Sequence, residues 1–221
     1  MRKVFGPLAI AAAAMFLYAP IVIAQAPFES TMLMVQKIFY FHVPSWIGMY
    51  SAIFVCAIAS TLYLFKGNAR ADRVAGAAAE LAFVFGIFGL VTGSLWGRKA
   101  WGVWWQWDAR LTTALLLELI LLAYLILRRY GGPGSEKLAA GVALFAAADS
   151  VIVYKAVDWW RTIHPLTSVV RSLGETSPEM YGALLYCSVC FILLFALLLM
   201  ARVGLEERRA ELDQLYLAEE P

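Results

Sequence analysis

The chain has 221 residues, 62% of them hydrophobic and 15% charged, with a formal net charge of +2. A soluble domain is nearer half apolar and a quarter charged, so this is the composition of an integral membrane protein. A charge of +2 carries no message about nucleic acid. The odd set Cys56, Cys187 and Cys190, all inside apolar runs, suggests no secreted disulfide framework.

Taken in order, the chain shows six apolar segments, at 4–24, 46–65, 75–95, 111–127, 138–153 and 181–201. A spanning helix needs about 20 residues, with a range of roughly 17–25. The fifth segment is short by that measure but can continue helically through Lys155 toward Trp160. The fold class expected is all-α: a polytopic bundle of six transmembrane helices whose outer loops form a platform. Residues 1–202 make the membrane domain, and 203–221 make a charged cytoplasmic tail, read as a helix leaving the membrane. The first segment has a second reading. Arg2-Lys3, an apolar run and Ala24-Gln25-Ala26 resemble a signal peptide, but the run exceeds the roughly 7–15 residues of a signal core. A retained helix is the expectation.

With both termini inside, eleven lysines and arginines fall on the inner side and seven on the outer: Lys37, Arg98, Lys99, Arg110, Lys155, Arg161 and Arg171. The excess of positive charge on cytoplasmic loops selects this orientation. The outer segments are then 25–45, 96–110 and 154–179. All eight tryptophans (46, 96, 101, 104, 105, 107, 159 and 160) and both histidines, His42 and His164, fall on or beside that outer face. Interfacial tryptophans ordinarily form belts at both membrane surfaces, so a one-sided set asks for a further cause.

The stretch 96–110 reads W-G-R-K-A-W-G-V-W-W-Q-W-D-A-R and holds Trp96, Trp101, Trp104, Trp105 and Trp107 with three cations and Asp108. Indole faces beside cations suit a large planar ligand with acidic groups. The plainer alternative is an interfacial amphipathic helix, with Trp101, Trp104, Trp105 and Asp108 on one face; spacing does not separate the two. Asp108 is placed to cap a helix starting near Leu111, and Arg110 to hold a carboxylate such as a haem propionate. Two imidazoles from separate outer segments suit the two axial positions of a haem iron. They fall short of the three or four ligands zinc usually takes. The bland alternative for each histidine is a surface or capping residue.

Three acids lie in or near spans, where they are costly. Glu80, near the inner end, and Asp149, near the outer end, are expected to reach water, while Glu118 lies deeper. Cys187 and Cys190 share a helix face in the sixth span and read as packing residues rather than a redox pair.

W-G-x-x-x-W-G-x-W-W-x-W-D-x-R-L-T resembles the tryptophan-rich WWD signature of the haem-handling proteins of cytochrome c maturation. Six expected spans, one histidine in each flanking outer segment, F-H-V-P-S-W around His42 and D-W-W-R-T-I-H-P around His164 resemble the CcmC family in particular. Asp149 departs from the pattern, which has an uncharged polar residue there.

The resemblance implies a bacterial inner-membrane protein with its WWD loop in the periplasm. It implies haem b as transient cargo, His42 and His164 as axial ligands, and Trp96, Trp101, Trp104, Trp105, Trp107, Asp108 and Arg110 as the binding surface. It also implies presentation of haem to the chaperone CcmE, beside CcmD and the ABC-transporter subunits CcmA and CcmB. The chain has no G-x-x-x-x-G-K-[ST] nucleotide motif, so an ATPase is expected in a partner. Three rivals remain. A cytochrome c haem lyase of the same superfamily is typically larger, with more outer histidines. A membrane electron carrier wants histidines on its spans. A haem permease wants an inner binding site.

Overall fold

The computed structural model describes residues 2–30, 32–164 and 177–219; Arg171, counted above among the outer cations, lies outside them. Among the described residues the chain is all-helical. The six helices are α1 (Arg2–Gln25), α2 (Phe39–Lys66), α3 (Ala69–Ala100), α4 (Ala109–Tyr130), α5 (Ser135–Trp159) and α6 (Pro178–Glu219). All six are long and apolar enough to cross a membrane.

The ends of the helices follow from local chemistry. Gly67, with φ of 61°, closes α2 in the left-handed region that glycine adopts without strain. Asn68 then opens α3 by accepting from the Arg70 and Ala71 amides. Asp108 opens α4 as expected, its carboxylate accepting from the Leu111 amide at 2.9 Å. Lys66, Arg128 and Arg129 sit in the last turns of α2 and α4, where cations complement the helix dipole.

The core lies where α2, α3, α4 and α6 meet, around Met49, Ile53, Phe85, Leu117, Leu121 and Phe195. Further along, Ala75, Ala78 and Ala79 of α3 are fully buried with Ala139 and Ala143 of α5. Small residues let helices approach closely in a membrane, where packing rather than the hydrophobic effect holds helices together. α1 lies outside the bundle against α6, with Tyr186 donating to the Met15 carbonyl at 2.8 Å and Phe16 against Phe191.

Several boundaries differ from the sequence reading. α2 begins at Phe39, not near Trp46, after a 3-10 turn over Met34–Ile38. Pro44 lies inside it and withholds one amide, and the Ser45 hydroxyl donates to the His42 carbonyl at 2.6 Å. α5 does run on past Lys155 to Trp159. Asp149 does not reach water: it is 4% exposed. The helix continues ten residues beyond it, about 15 Å at the α-helical rise, which moves Asp149 from the helix end into the bundle. Glu80 is half-exposed and meets Arg202 of α6 at 2.6 Å. The tail remains helical, since α6 continues unbroken to Glu219.

Candidate functional site

The connectivity brings the start of α2, the end of α3, the start of α4 and the end of α5 to one end of the bundle. Both histidines and the WWD stretch are there. Trp96 is still on α3, which stops at Ala100. Residues 101–108 then run without helix, so the amphipathic-helix alternative does not describe them. The physical cause is Gly102, whose φ of 78° departs from the helix, while the Arg98 guanidinium fastens the turn by donating to the Gly102 carbonyl at 2.5 Å.

His42 is on the first turns of α2 rather than in a loop, and is 7% exposed. Its Nδ1 lies 3.1 Å from the Gly89 carbonyl oxygen and 3.2 Å from Thr92 Oγ1. A carbonyl can only accept, so Nδ1 carries the proton and Nε2 keeps the lone pair. The ring stands edge-on to Trp96, centroids 5.6 Å apart, and to Trp46 at 6.2 Å. Trp96 donates through Nε1 to the Met32 sulfur.

His164 lies in the segment after α5, half-buried, with its ring 6.1 Å from that of Trp101. Its amide donates to Thr162 Oγ1 at 3.0 Å. The Thr162 hydroxyl and the Ile163 amide in turn donate to the second oxygen of Asp108. One carboxylate therefore caps α4 and tethers the segment that carries His164. Trp101 connects back to α3 through its amide, which donates to the Gly97 carbonyl at 2.8 Å. A run of rings thus leads from His42 to Trp96, across one helical turn to Trp101, and on to His164.

The other expected site residues divide. Trp104 and Trp107 are 59% and 74% exposed, as are, to a similar degree, Trp159 at the end of α5 and Trp160 just after it. Trp105 is half-buried against Trp107 and its indole N–H has no partner among the described residues. Arg110 has a task that spacing did not reveal. It donates to the Val153 and Tyr154 carbonyls at 2.8 and 3.1 Å, tying α4 to α5. Among the described residues no three His, Cys, Asp or Glu side chains gather as a metal cluster; the imidazoles at this end are those of His42 and His164.

The sequence reading missed Gly89, Thr92, Gly93 and Thr162. The glycines had a signal. Gly86, Gly89, Gly93 and Gly97 recur at spacings of three and four, on one face of α3. A Cβ on Gly86 would lie 1.5 Å from Glu118 Oε1, and one on Gly89 would lie 2.8 Å from Trp46 Cε2. That face is a floor on which α2 and Glu118 rest. Thr162 gave no signal, because its partner Asp108 is 54 residues away.

These features define a multi-pass membrane protein that sets two imidazoles and a tryptophan-rich segment at one end of a six-helix bundle. The model of the family described as Heme exporter protein C, CcmC, matches residues 1–217, and the chain belongs to that family. The Heme exporter protein C of Bradyrhizobium diazoefficiens is 37% identical over 185 residues, covering 82% of this chain and 70% of the relative. That of Escherichia coli K12 is 33% identical over 196 residues, covering 82% and 76%. That of Paracoccus denitrificans is 32% identical over 187 residues, covering 83% and 78%.

Proposed function

We propose that this chain holds haem at the outer end of its bundle and presents it to the haem chaperone CcmE in cytochrome c maturation. The relatives' name speaks of haem export, and the donor set fits that cargo. His42 and His164 are the axial ligands, and the indoles of Trp96, Trp101, Trp104, Trp105 and Trp107 form the apolar surface for the porphyrin of haem b. Asp108 holds the two sides of the site together. Arg110 leaves part of its guanidinium for a propionate after serving the α5 carbonyls.

The observation that carries this reading is the contact of His42 Nδ1 with the Gly89 carbonyl oxygen, from which the tautomer follows. Iron-ligating histidines characteristically donate the other ring N–H to a carbonyl or carboxylate, which fixes the ring and raises its basicity. Nδ1 and the Gly89 carbonyl are in that relation, 3.1 Å apart. The carbon–sulfur and iron chemistry of maturation belongs to the cofactor and its later partners; this chain binds and orients. The exposed Trp104, Trp107, Trp159 and Trp160 supply the face on which a partner can meet the cargo. The membrane is the bacterial inner membrane, the site faces the periplasm, and CcmA, CcmB and CcmD complete the assembly, with ATP hydrolysis in a partner subunit.

The test is an absorption spectrum of the purified protein with added haem, for wild type, His42→Ala, His164→Ala and the double variant, first without CcmE and then with it. Each single change is expected to shift or weaken the Soret band, and the wild type to pass haem to CcmE. A wild type that takes up no haem would make the tryptophan surface a protein-docking face instead.

A further inference from the structure

A histidine buried between two membrane helices can be a plain core residue, and the surroundings of His42 distinguish that case from a positioned ligand. α3 meets the ring with two adjacent residues, Thr92 and Gly93. Thr92 Oγ1 donates to the Phe88 carbonyl at 2.8 Å, so its lone pairs face outward. One of them lies 3.2 Å from His42 Nδ1. The Nδ1 proton is therefore shared between Thr92 Oγ1 and the Gly89 carbonyl. Gly93 acts by shape. A Cβ there would lie 2.9 Å from His42 Cε1 and 3.4 Å from Nδ1. Cε1 is a ring atom on a short side chain whose backbone is fixed in α2, so relief requires the whole imidazole to turn or withdraw.

We infer that Gly93 and Thr92 are positioning residues for His42: Gly93 admits the edge of the ring against α3, and Thr92 with the Gly89 carbonyl holds the Nδ1 proton, so that Nε2 is the nitrogen offered to iron. This rests on the reading of His42 as an iron ligand. A core histidine would need only volume at position 93 and one hydrogen-bond partner. Here two acceptors converge on one nitrogen and the missing Cβ lies beside the carbon between the two nitrogens. The α2–α3 register is thereby coupled to the direction of the ligating lone pair.

The experiment titrates ferric protoporphyrin IX into the purified full chain in detergent and reads the Soret band and the low-spin electron paramagnetic resonance signal. The variants are Gly93→Ala, Thr92→Val, Thr92→Ser and His42→Ala, with Gly93→Ala and Thr92→Val each repeated in the His42→Ala background. Gly93→Ala should reproduce the spectral change of His42→Ala. Thr92→Val should weaken binding about ten-fold, the low end for loss of a partner behind a metal ligand, while Thr92→Ser stays close to wild type. Neither substitution should have a further effect once His42 is gone, since residues acting through one group are not additive.

Wild-type spectra and affinity for Gly93→Ala and Thr92→Val, in a protein that responds to His42→Ala, would overturn the assignment. So would equal losses with and without His42, which mark simple packing. If Gly93→Ala does not fold, the Thr92→Val and Thr92→Ser pair decides. If His42→Ala itself leaves the spectrum unaltered, the ligand reading has failed first, and the positioning role fails with it.

Discussion

The two ends of the bundle hold most of their cations differently. At the end remote from the histidines, the inner end in the proposed orientation, arginines meet carboxylates on other helices. Arg128 of α4 is paired in two-pronged fashion with Asp72 of α3 at 2.5 and 2.9 Å, Arg202 of α6 with Glu80 of α3 at 2.6 and 2.8 Å, and Arg70 with Glu207 at 2.8 Å. At the end that carries the histidines, the outer end in the proposed orientation, three cations meet backbone carbonyls, while Lys155 pairs with Asp158 of its own helix at 3.2 Å. Lys37 reaches the carbonyls of Ile23 and Ala26 at the end of α1, Arg98 that of Gly102, and Arg110 those of Val153 and Tyr154. A carbonyl satisfies the donor and complements the helix dipole, but it does not neutralise the charge. Ion pairs between helices close the inner end. At the outer end Lys37, Arg98 and Arg110 have carbonyl rather than carboxylate acceptors, near exposed indoles, which is a setting that suits an anionic, planar cargo.

The largest test of that contrast removes an inner carboxylate. Asp72→Ala leaves Arg128, whose side chain is 23% exposed, without its partner. The expected cost is about 3 kcal/mol, the low end for breaking a buried pair, read as thermal unfolding in detergent. Haem affinity of the protein that remains folded should be unchanged. A parallel loss of affinity would mean that the two ends are not separable.

Next comes Gly86→Ala, between the ends. Its Cβ would fall on Glu118, 2% exposed, and on Met49. Overpacking of this kind costs about 2 kcal/mol. The sharper clash is with the Glu118 carboxyl of α4, but the new Cβ would also press on the Met49 sulfur of α2 at 3.0 Å, on the helix that carries His42, so stability and haem binding should decline together here, unlike in Asp72→Ala. Retained haem affinity in the destabilised protein would show that the His42 contact is held locally.

Asp108→Ala is smaller in stability and sharper in function. Loss of an N-cap costs about 1 kcal/mol. The same carboxylate also holds Thr162 and Ile163, so the segment bearing His164 loses its tether. Haem titration should show a larger deficit than the melting curve implies, with the spectrum approaching that of His164→Ala. Asp108→Asn, which keeps one acceptor oxygen for the cap, should restore stability more than haem binding. Equal recovery of both would reduce Asp108 to a helix cap.

How much of this was legible differs by kind of interaction. Six spans follow from runs of apolar residues, because a membrane crossing is written locally, and the same is true of the Asp108 cap, read from its place before Leu111. The gathering of His42, His164 and the tryptophans at one end followed from counting crossings. What the residues did not announce was long-range or three-dimensional. Arg110 looked free for a ligand because its carbonyl partners are 43 and 44 residues away. Asp149 looked near the surface because α5 reads as a short hydrophobic run, while the helix continues through polar residues to Trp159. Trp101, Trp104 and Trp105 fit a helical face, and one glycine at positive φ removed it. The glycines of α3 were visible as a spacing, but only the packing shows that His42 and Trp46 are what they make room for.

The smallest expected effect is at the inner rim. Arg70 lies at the start of α3 with its side chain 61% exposed, and Glu207, on the part of α6 past the apolar run, is 27% exposed. Their contact at 2.8 Å is well formed, yet an exposed pair gains little over hydrated ions and is screened by salt. Arg70→Ala should therefore change stability by less than about 0.5 kcal/mol, with no change in haem spectrum, and the small difference should vanish at high salt. The check is a pair of melting curves at low and high ionic strength for wild type, Arg70→Ala and Glu207→Ala. A salt-insensitive loss as large as that of Asp72→Ala would mean that α6 is anchored to α3 through this pair, and the closure of the inner end would then extend past Arg202 into the tail.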